Sequence, residues 1–487
     1  MIHFDTISNV VGAILVFVGA LMLTALPFSF YYDSGDAQPI LISSLITMGV
    51  GGLSWWWKFR AQERVGKKEG YLIVALAWLG MSLCSTLPYL FSGVLPHFQD
   101  ALFESISGLT TTGASVLTDI ESVPHGILFW RSLTQWIGGM GIIVLTVAIF
   151  PLLGIGGVEL FVAEAPGPAS DKIHPRIKET AKRLWFIYVS LTATLMLILY
   201  LLGMTFYDAI NHALTTMATG GFSTKNASIA HFNVPSIQYV ILFFMFLAGT
   251  NYTVIYYGLK GRFSKVWGSD EFKVYVFLVL GLTALIGGTL ATANGLSVEQ
   301  SFRDAGFQVV SLITTTGFVS ADYTAWAPWI TVVCFILLFS GACAGSTAGG
   351  IKLIRLLVFF KNSMLEFKRL LHPKAMIRVK IDKHVVAPRI LTHILVFLFI
   401  YLIVFLFGTV VMSVILSDFE QPFLTAIGSV ATSLGNVGPA IGEVGPVDNF
   451  ASIPPVGKWF LSFLMLLGRL ELFTILILFT PYFWKTN

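Results

Sequence analysis

Four stretches of this sequence share a pattern suited to backbone chemistry. Aligned on a glycine they read DALFESISGLTTTGAS from Asp100, DAINHALTTMATGGFS from Asp208, DAGFQVVSLITTTGFV from Asp304 and TAIGSVATSLGNVGPA from Thr425. Gly113, Gly221, Gly317 and Gly438 each lie 13 residues after those starting positions, and a hydroxyl (Ser107, Thr215, Ser311, Thr432) stands six residues before each glycine. The segments that end on the glycines are Thr110-Thr111-Thr112-Gly113, Ala218-Thr219-Gly220-Gly221, Thr314-Thr315-Thr316-Gly317 and Gly435-Asn436-Val437-Gly438, and none holds an ionisable side chain. A loop of this kind can take positive φ at glycine and turn successive carbonyl oxygens toward one line, where they replace the hydration shell of an ion. Calcium and magnesium normally recruit carboxylates or keep their waters. The chemistry therefore points to a monovalent cation, with potassium the natural guess.

The elements that must position these loops are helices in lipid. The chain has 487 residues, of which 55% are hydrophobic and 11% charged, and its mean hydropathy is +0.80. Soluble domains carry roughly a quarter charged residues, and apolar runs of ~20 residues recur along most of the length. Ten spanning segments are expected near 8–31, 40–57, 71–93, 127–153, 184–204, 236–258, 272–293, 329–360, 391–416 and 456–482. The four glycine-centred stretches fall between them and are too short to cross a bilayer, so they read as re-entrant helices. Asp100, Asp208, Asp304 and Thr425 are suitable N-caps for such helices. Spacings of 108, 96 and 121 residues between the glycines leave room for one span before and one after each loop. Irregular backbone at membrane depth is tolerated where it is buried in protein or lines a watery cavity. Four copies in one chain can surround a single axis, and re-entrant helices entering from outside would point their partly negative C-termini at it, which favours a cation.

Charge sets the orientation. Of the 30 Lys and Arg, 25 fall in alternate connections (Lys58 to Lys68, Lys172 to Arg183, Lys260 to Lys273, Lys352 to Arg389) or at Lys485. By the positive-inside rule these are cytoplasmic and so are both termini. The formal net charge of +4 then conceals an acidic outer mouth and a basic inner face. Arg131, Lys225, Arg303 and Lys458 are the basic residues expected on the outer side. The N-terminal residues MIHFDTISN lack a basic n-region, so the first helix is expected to remain in the protein.

The eighth segment is interrupted by Gly341-Ala342-Cys343-Ala344-Gly345-Ser346-Thr347-Ala348-Gly349-Gly350, too glycine-rich to stay helical in lipid unless shielded. Arg469 is the basic residue read as lying deep in an apolar segment, where a charge costs at least ~2.5 kcal/mol and needs partners. Glu471, two positions on, would point to a different helix face, so a local pair is not expected.

These motifs, with QWIGGMGIIVL from Gln135, AEAPGP from Ala163 and GRLELFT from Gly468, resemble the Trk/Ktr/HKT superfamily of cation transporters over essentially the whole chain, and specifically the bacterial Trk-type potassium uptake subunit. The resemblance implies an all-α polytopic fold: a two-helix hairpin (1–70), then four membrane-pore-membrane repeats at 71–160, 161–265, 266–380 and 381–487 around one pore. The family's filter positions fall on the four segments quoted above, with K⁺ expected at Thr111, Thr112, Thr219, Gly220, Thr315, Thr316, Asn436 and Val437. The stretch with Gly341, Gly345, Ser346, Thr347, Gly349 and Gly350 corresponds to the family's intramembrane gating loop, where Ala348 replaces a usual third glycine; Arg469 is expected to bond its carbonyls from the inner pore. A homodimer in the bacterial inner membrane is implied, in contact with lipid and with a cytosolic RCK-type (TrkA-like) nucleotide-binding regulatory subunit. No cofactor is expected in this chain, and no nucleic acid partner.

Other chemistry is poorly supported. The nine histidines show no HxxxH or HExxH spacing, and His212 reads as a packed polar residue. Cys84, Cys334 and Cys343 fit neither a disulfide framework nor a zinc site, and no nucleophile-base arrangement suggests an enzyme. Trp55-Trp56-Trp57 before Lys58 reads as an interfacial anchor. A Na⁺ transporter or a K⁺/Na⁺ or K⁺/H⁺ symporter of the same superfamily remains the main alternative.

Overall fold

The first two helices meet through glycine. In the computed structural model, which describes residues 2–57, 66–149, 177–293 and 297–485, Phe4–Met22 packs along Ala37–Trp57. A Cβ added to Gly12 would lie 2.6 Å from the Gly51 oxygen, and one added to Gly51 would lie 2.7 Å from the Gly12 oxygen. Ser8 and Ser54 share a 2.8 Å hydrogen bond beside them. Small residues that let two backbones touch are the usual glue between helices in lipid.

From there a long helix, a short helix and a second long element recur four times. The short helices are Phe98–Leu109, Phe206–Met217, Val298–Ile313 and Pro422–Gly435. The element preceding each is Lys67–Ser85 with its extension Leu87–Phe91, Ile177–Leu201, Asp270–Ala293 and Pro388–Ile415. The element following each is interrupted. His125–Ile149 leaves helical geometry at Gly141 (φ 64°). Pro235–Ala248 turns by 109° into Tyr252–Leu259, and Pro455–Arg469 turns by 107° into the short helical run 473–479. Between Pro328–Leu337 and Leu353–Leu371, residues 338–352 form a loop.

These interruptions divide several of the expected spans into shorter helices. Among the described residues six helices are long and apolar enough to cross a membrane, or eight if each bent pair counts once. The windows at 236–258 and 456–482 read as continuous because their breaks are short and leave the hydropathy high, whereas the break expected inside 329–360 is present at 338–352. The AEAPGP motif, and the basic residues Lys58, Arg60, Arg64, Lys172 and Arg176, lie outside the described residues.

The N-caps are also corrected. The caps of the second and third short helices are Thr205 and Ser297, which accept from the amides of Asp208 and Gln300; His97 and Gln421 begin the first and fourth without a side-chain bond. Asp208 does sit in the first turn, where its carboxylate accepts from the Thr205 hydroxyl at 2.8 Å. Asp100 in the first turn pairs with Lys458 at 2.7 Å, whereas Asp304 and Thr425 lie inside their helices. Lys225, Arg303 and Arg131 pair similarly with Glu121, Glu299 and Glu104, so all four outer basic residues face carboxylates.

One small non-helical unit follows Leu353–Leu371, an antiparallel hairpin pairing Lys380–Ile381 with His384–Val385. Its turn is tied to the start of Asp270–Ala293: the Asp270 amide donates to Asp382 at 2.6 Å, and Lys361 reaches Asp270 at 2.8 Å.

Candidate functional site: a ring of four loops

Each short helix ends in a loop with the same backbone. Thr111, Thr219, Thr315 and Asn436 have φ of 54°, 54°, 54° and 55°, and two residues later Gly113, Gly221, Gly317 and Gly438 have φ of 81°, 78°, 76° and 105°. Left-handed residues in alternation keep successive carbonyls facing one side of the loop. The same brace holds all four: the amides of Thr112, Gly220, Thr316 and Val437 donate to the carbonyls of Ser107, Thr215, Ser311 and Thr432 at 2.8–3.1 Å. The hydroxyl residues six before each glycine thus supply a backbone acceptor in every copy. Their hydroxyls diverge: Ser107 and Ser311 donate to the carbonyls of Ala114 and Phe318, Thr432 accepts from the Gly438 amide, and Thr215 bonds within its own helix.

The loops close on one another. A Cβ on Gly113 would lie 2.2 Å from the Gly220 oxygen, one on Gly221 2.0 Å from that of Thr316, one on Gly317 2.0 Å from that of Val437, and one on Gly438 2.7 Å from that of Thr112. These contacts run from the first loop to the second, third, fourth and back to the first. The filter residues expected from the sequence are therefore brought together, and Thr110 to Thr112, Ala218, Thr219, Thr314 to Thr316, Asn436 and Val437 are fully buried. The motif falls into place because only glycine meets both demands, a positive φ and a neighbouring oxygen at its Cα. The threonines in the left-handed region are costly for β-branched residues, and such conformations persist where the surroundings over-determine them.

Side chains that were not singled out from the sequence hold the ring from behind. Gln135 donates to the Gly220 oxygen at 2.6 Å and accepts from the Phe222 amide at 3.0 Å. Arg131, taken as an outer-mouth charge, is instead 2% exposed; it pairs with the fully buried Glu104 at 2.7 Å, donates to the Ser223 oxygen and lies 3.4 Å over the Phe222 ring. Glu104 also accepts from Ser115 and from the Val116 amide, so this pair fastens the first loop to the second. Asn436 donates across to the Thr112 hydroxyl at 3.0 Å and to the Met465 oxygen at 2.9 Å, joining the fourth loop to the first. A glutamine within QWIGGMG was visible as part of a motif, but its reach to a loop 85 residues away left no mark on local spacing. His212 is packed as expected, bonded to the Asp208 oxygen and Ser223.

The interrupted segment 338–352 lies against this ring. Gly349 donates to the Thr315 hydroxyl at 2.7 Å, and a Cβ on Gly349 would lie 2.8 Å from that of Asn436. The loop seats itself in the break of the first bent pair, between Pro235–Ala248 and Tyr252–Leu259. The amides of Cys343 and Thr347 donate to Gly249 and Ala248, the Tyr252 amide donates to Gly345, and the Thr347 hydroxyl donates to Met217. Gly341 bonds Ile351 at its neck, Ser346 bonds Cys343, and Gly345 and Gly350 take φ of 72° and 60°. Arg469 reaches the loop from the other bent pair: it donates to the Thr347 oxygen at 3.0 Å, to the Gly139 oxygen at 3.1 Å and to Gly138. Glu471 points elsewhere and pairs with Arg355 on Leu353–Leu371. The bend that separates them is made by Glu471 and Leu472, both at positive φ. Cys84, Cys334 and Cys343 are free thiols, and among the described residues no group of His, Cys, Asp or Glu could hold a metal ion.

Comparison with known proteins gives the family. The TrkH family, described as Cation transport protein, matches residues 36–485. The Trk system potassium uptake protein TrkH of Salmonella typhimurium is 42% identical over 489 residues, covering 99% of this chain and all of its own, and that of Escherichia coli K12 is 41% identical with the same coverage. The crystal structure of the potassium transporter TrkH from Vibrio parahaemolyticus superposes with a TM-score of 0.87 at 36% identity, covering 99% of this chain and all of that one. The chain belongs to the TrkH family of cation transport proteins.

Proposed function

We propose that this protein takes up potassium across the bacterial inner membrane, with the ring of Thr110–Gly113, Ala218–Gly221, Thr314–Gly317 and Gly435–Gly438 as its selectivity filter. The observation that carries this reading is the closed ring of four loops with alternating left-handed residues, a backbone suited to exchanging water for carbonyl oxygen around a dehydrated cation. K⁺ would be met at Thr111, Thr112, Thr219, Gly220, Thr315, Thr316, Asn436 and Val437. The names of the full-length relatives support the choice of ion. In this reading ten spans form a two-helix hairpin (1–70) and four membrane-pore-membrane repeats (71–160, 161–265, 266–380, 381–487), with both termini cytoplasmic.

The 341–350 loop and Arg469 form the gate. The loop abuts two quarters of the ring, and the guanidinium places a positive charge on its inner side, which opposes the passage of cations. The basic inner face would receive a cytosolic nucleotide-binding regulatory subunit and anionic lipid, and the protein would work as a homodimer. The test is growth of a strain lacking K⁺ uptake on low K⁺, with ⁸⁶Rb⁺ flux into proteoliposomes at varied Na⁺ and pH. Complementation with Na⁺-independent, pH-independent Rb⁺ flux is expected. Flux that requires Na⁺ or H⁺ would replace the channel-like reading with symport, and failure to complement would refute potassium uptake.

A further inference from the structure

One buried carboxylate belongs neither to the ring nor to the Arg469 contact. Glu271 is 6% exposed in the first turn of Asp270–Ala293, where the helix N-terminus favours a negative charge. Its Oε1 accepts from the Ala344 amide at 2.8 Å and from the Ile354 amide at 3.0 Å. Ala344 lies within the gating loop, and Ile354 is the second residue of the helix that leaves it. One oxygen therefore bridges both sides of the segment that folds under the ring, and among the described residues its two donors have no other acceptor. Between them the chain bends through Thr347, which bonds Met217 and Arg469, and Gly349, which bonds Thr315.

We infer that Glu271 is a positioning residue of the gate: it pins the two arms of the loop together and so holds the loop in the obstructing position. This rests on the gating role proposed above. Arg469 acts on the tip of the loop and Glu271 on its base, from opposite sides. The Ile354 amide, freed from this oxygen, would be left buried and unsatisfied, so the two bonds favour the folded loop over any conformation that separates residues 344 and 354. Reach decides the function, since the acceptor must meet both donors at once; charge contributes through the helix end.

The experiment uses the full chain with Cys84→Ser and Cys334→Ser, leaving Cys343, 1% exposed and adjacent to Ala344, as the sole thiol. Maleimide alkylation of Cys343 reports loop opening, and ⁸⁶Rb⁺ flux into proteoliposomes without a regulatory partner reports conduction. Glu271→Ala is expected to speed alkylation and raise basal flux by about tenfold, a change worth about 1.4 kcal/mol. Glu271→Asp, short by one methylene, should behave like alanine. Glu271→Gln, which keeps an oxygen at full length, should restore protection of Cys343. If Glu271→Ala does not fold, the contrast between the Asp and Gln variants decides. Alkylation unchanged in Glu271→Ala, or an Asp variant protected while Gln is not, would overturn the inference. Arg469→Ala is run in parallel: if it raises flux and Glu271→Ala changes nothing, the gate stands and Glu271 has no part in it. If no variant raises flux but Glu271→Ala exposes Cys343, Glu271 holds the loop and the loop is not the gate.

Discussion

Gly113→Ser is the sharpest probe of the ring. The new Cβ would sit 2.2 Å from the Gly220 oxygen, where ordinary contacts begin at 3.4 Å, so the first two loops must separate by about 1 Å. The Gly220 carbonyl cannot simply retreat. Its oxygen is held by Gln135 at 2.6 Å, and the Gln135 carboxamide lies so close behind Gly220 that a Cβ there would approach it to 2.3 Å. The φ of 81° adds backbone strain of about 1–2 kcal/mol for a residue with a side chain. Displacing one carbonyl of the ring by that distance should erase about 1–2 kcal/mol of the difference between K⁺ and Na⁺, a factor of about 5–30 in selectivity. The assay is Rb⁺ uptake with Na⁺ competition, or the reversal potential under bi-ionic conditions, in proteoliposomes. Gly35→Ser is the matched control, because Gly35 has a φ of 75° and nothing within 4 Å of its missing Cβ. It carries the strain without the clash. Wild-type selectivity in a folded Gly113→Ser protein would refute the filter assignment, and equal loss in Gly35→Ser would show that backbone strain alone explains the effect.

Three further outcomes follow from contacts already described. Arg469→Ala removes charged bonds to Thr347, Gly138 and Gly139 and should raise partner-free Rb⁺ flux by about tenfold, each such bond contributing about 1.5–3 kcal/mol; unchanged flux would count against its place in the gate. Either Arg131→Met or Glu104→Gln alone leaves a buried partner uncompensated and should cost about 3–5 kcal/mol, read as a large fall in the thermal midpoint of the purified protein, with the double variant recovering part of the loss. Gln135→Leu strands the Gly220 oxygen and the Phe222 amide at a cost of about 1–3 kcal/mol and should impair selectivity without abolishing insertion; a variant transporting with native Na⁺ rejection would show that the ring does not depend on that brace.

The four-fold repeat was legible because its demands are local. A positive φ beside a neighbouring loop's oxygen admits glycine alone, so Gly113, Gly221, Gly317 and Gly438 recur in register. The left-handed residues two positions earlier were hidden, since threonine advertises no such conformation and is held there by the ring itself; asparagine tolerates it, but stands in only the fourth copy. Arg131 misled for a different reason: its position near the outer end of an apolar segment fitted a mouth residue, and its partner Glu104 lies 27 positions away on another helix. The caps were displaced because Thr205 and Ser297 precede an aspartate that sits in the first turn of one helix and deep inside the other. The bends escaped hydropathy windows since Gly249-Thr250-Asn251 and Leu470-Glu471-Leu472 barely dent the average. Asn251, which caps the helix after the first break by accepting from Thr253, was the available signal there.

The direction of the ring contacts has a consequence for how the pore can be altered. In an assembly of identical subunits every substitution enters four times; here each quarter is encoded once, and glycine leans on the following loop in a single rotational sense. Damage at Gly113 should pass first to the second loop, and damage at Gly438 to the first. The quarters are also free to specialise. Thr315 and Asn436 give the intramembrane loop its foothold, while the first two loops are anchored instead by Gln135 and the Arg131–Glu104 pair. The chain has thereby built one ring from unequal quarters, two braced by side chains and two set against the interrupted segment 338–352.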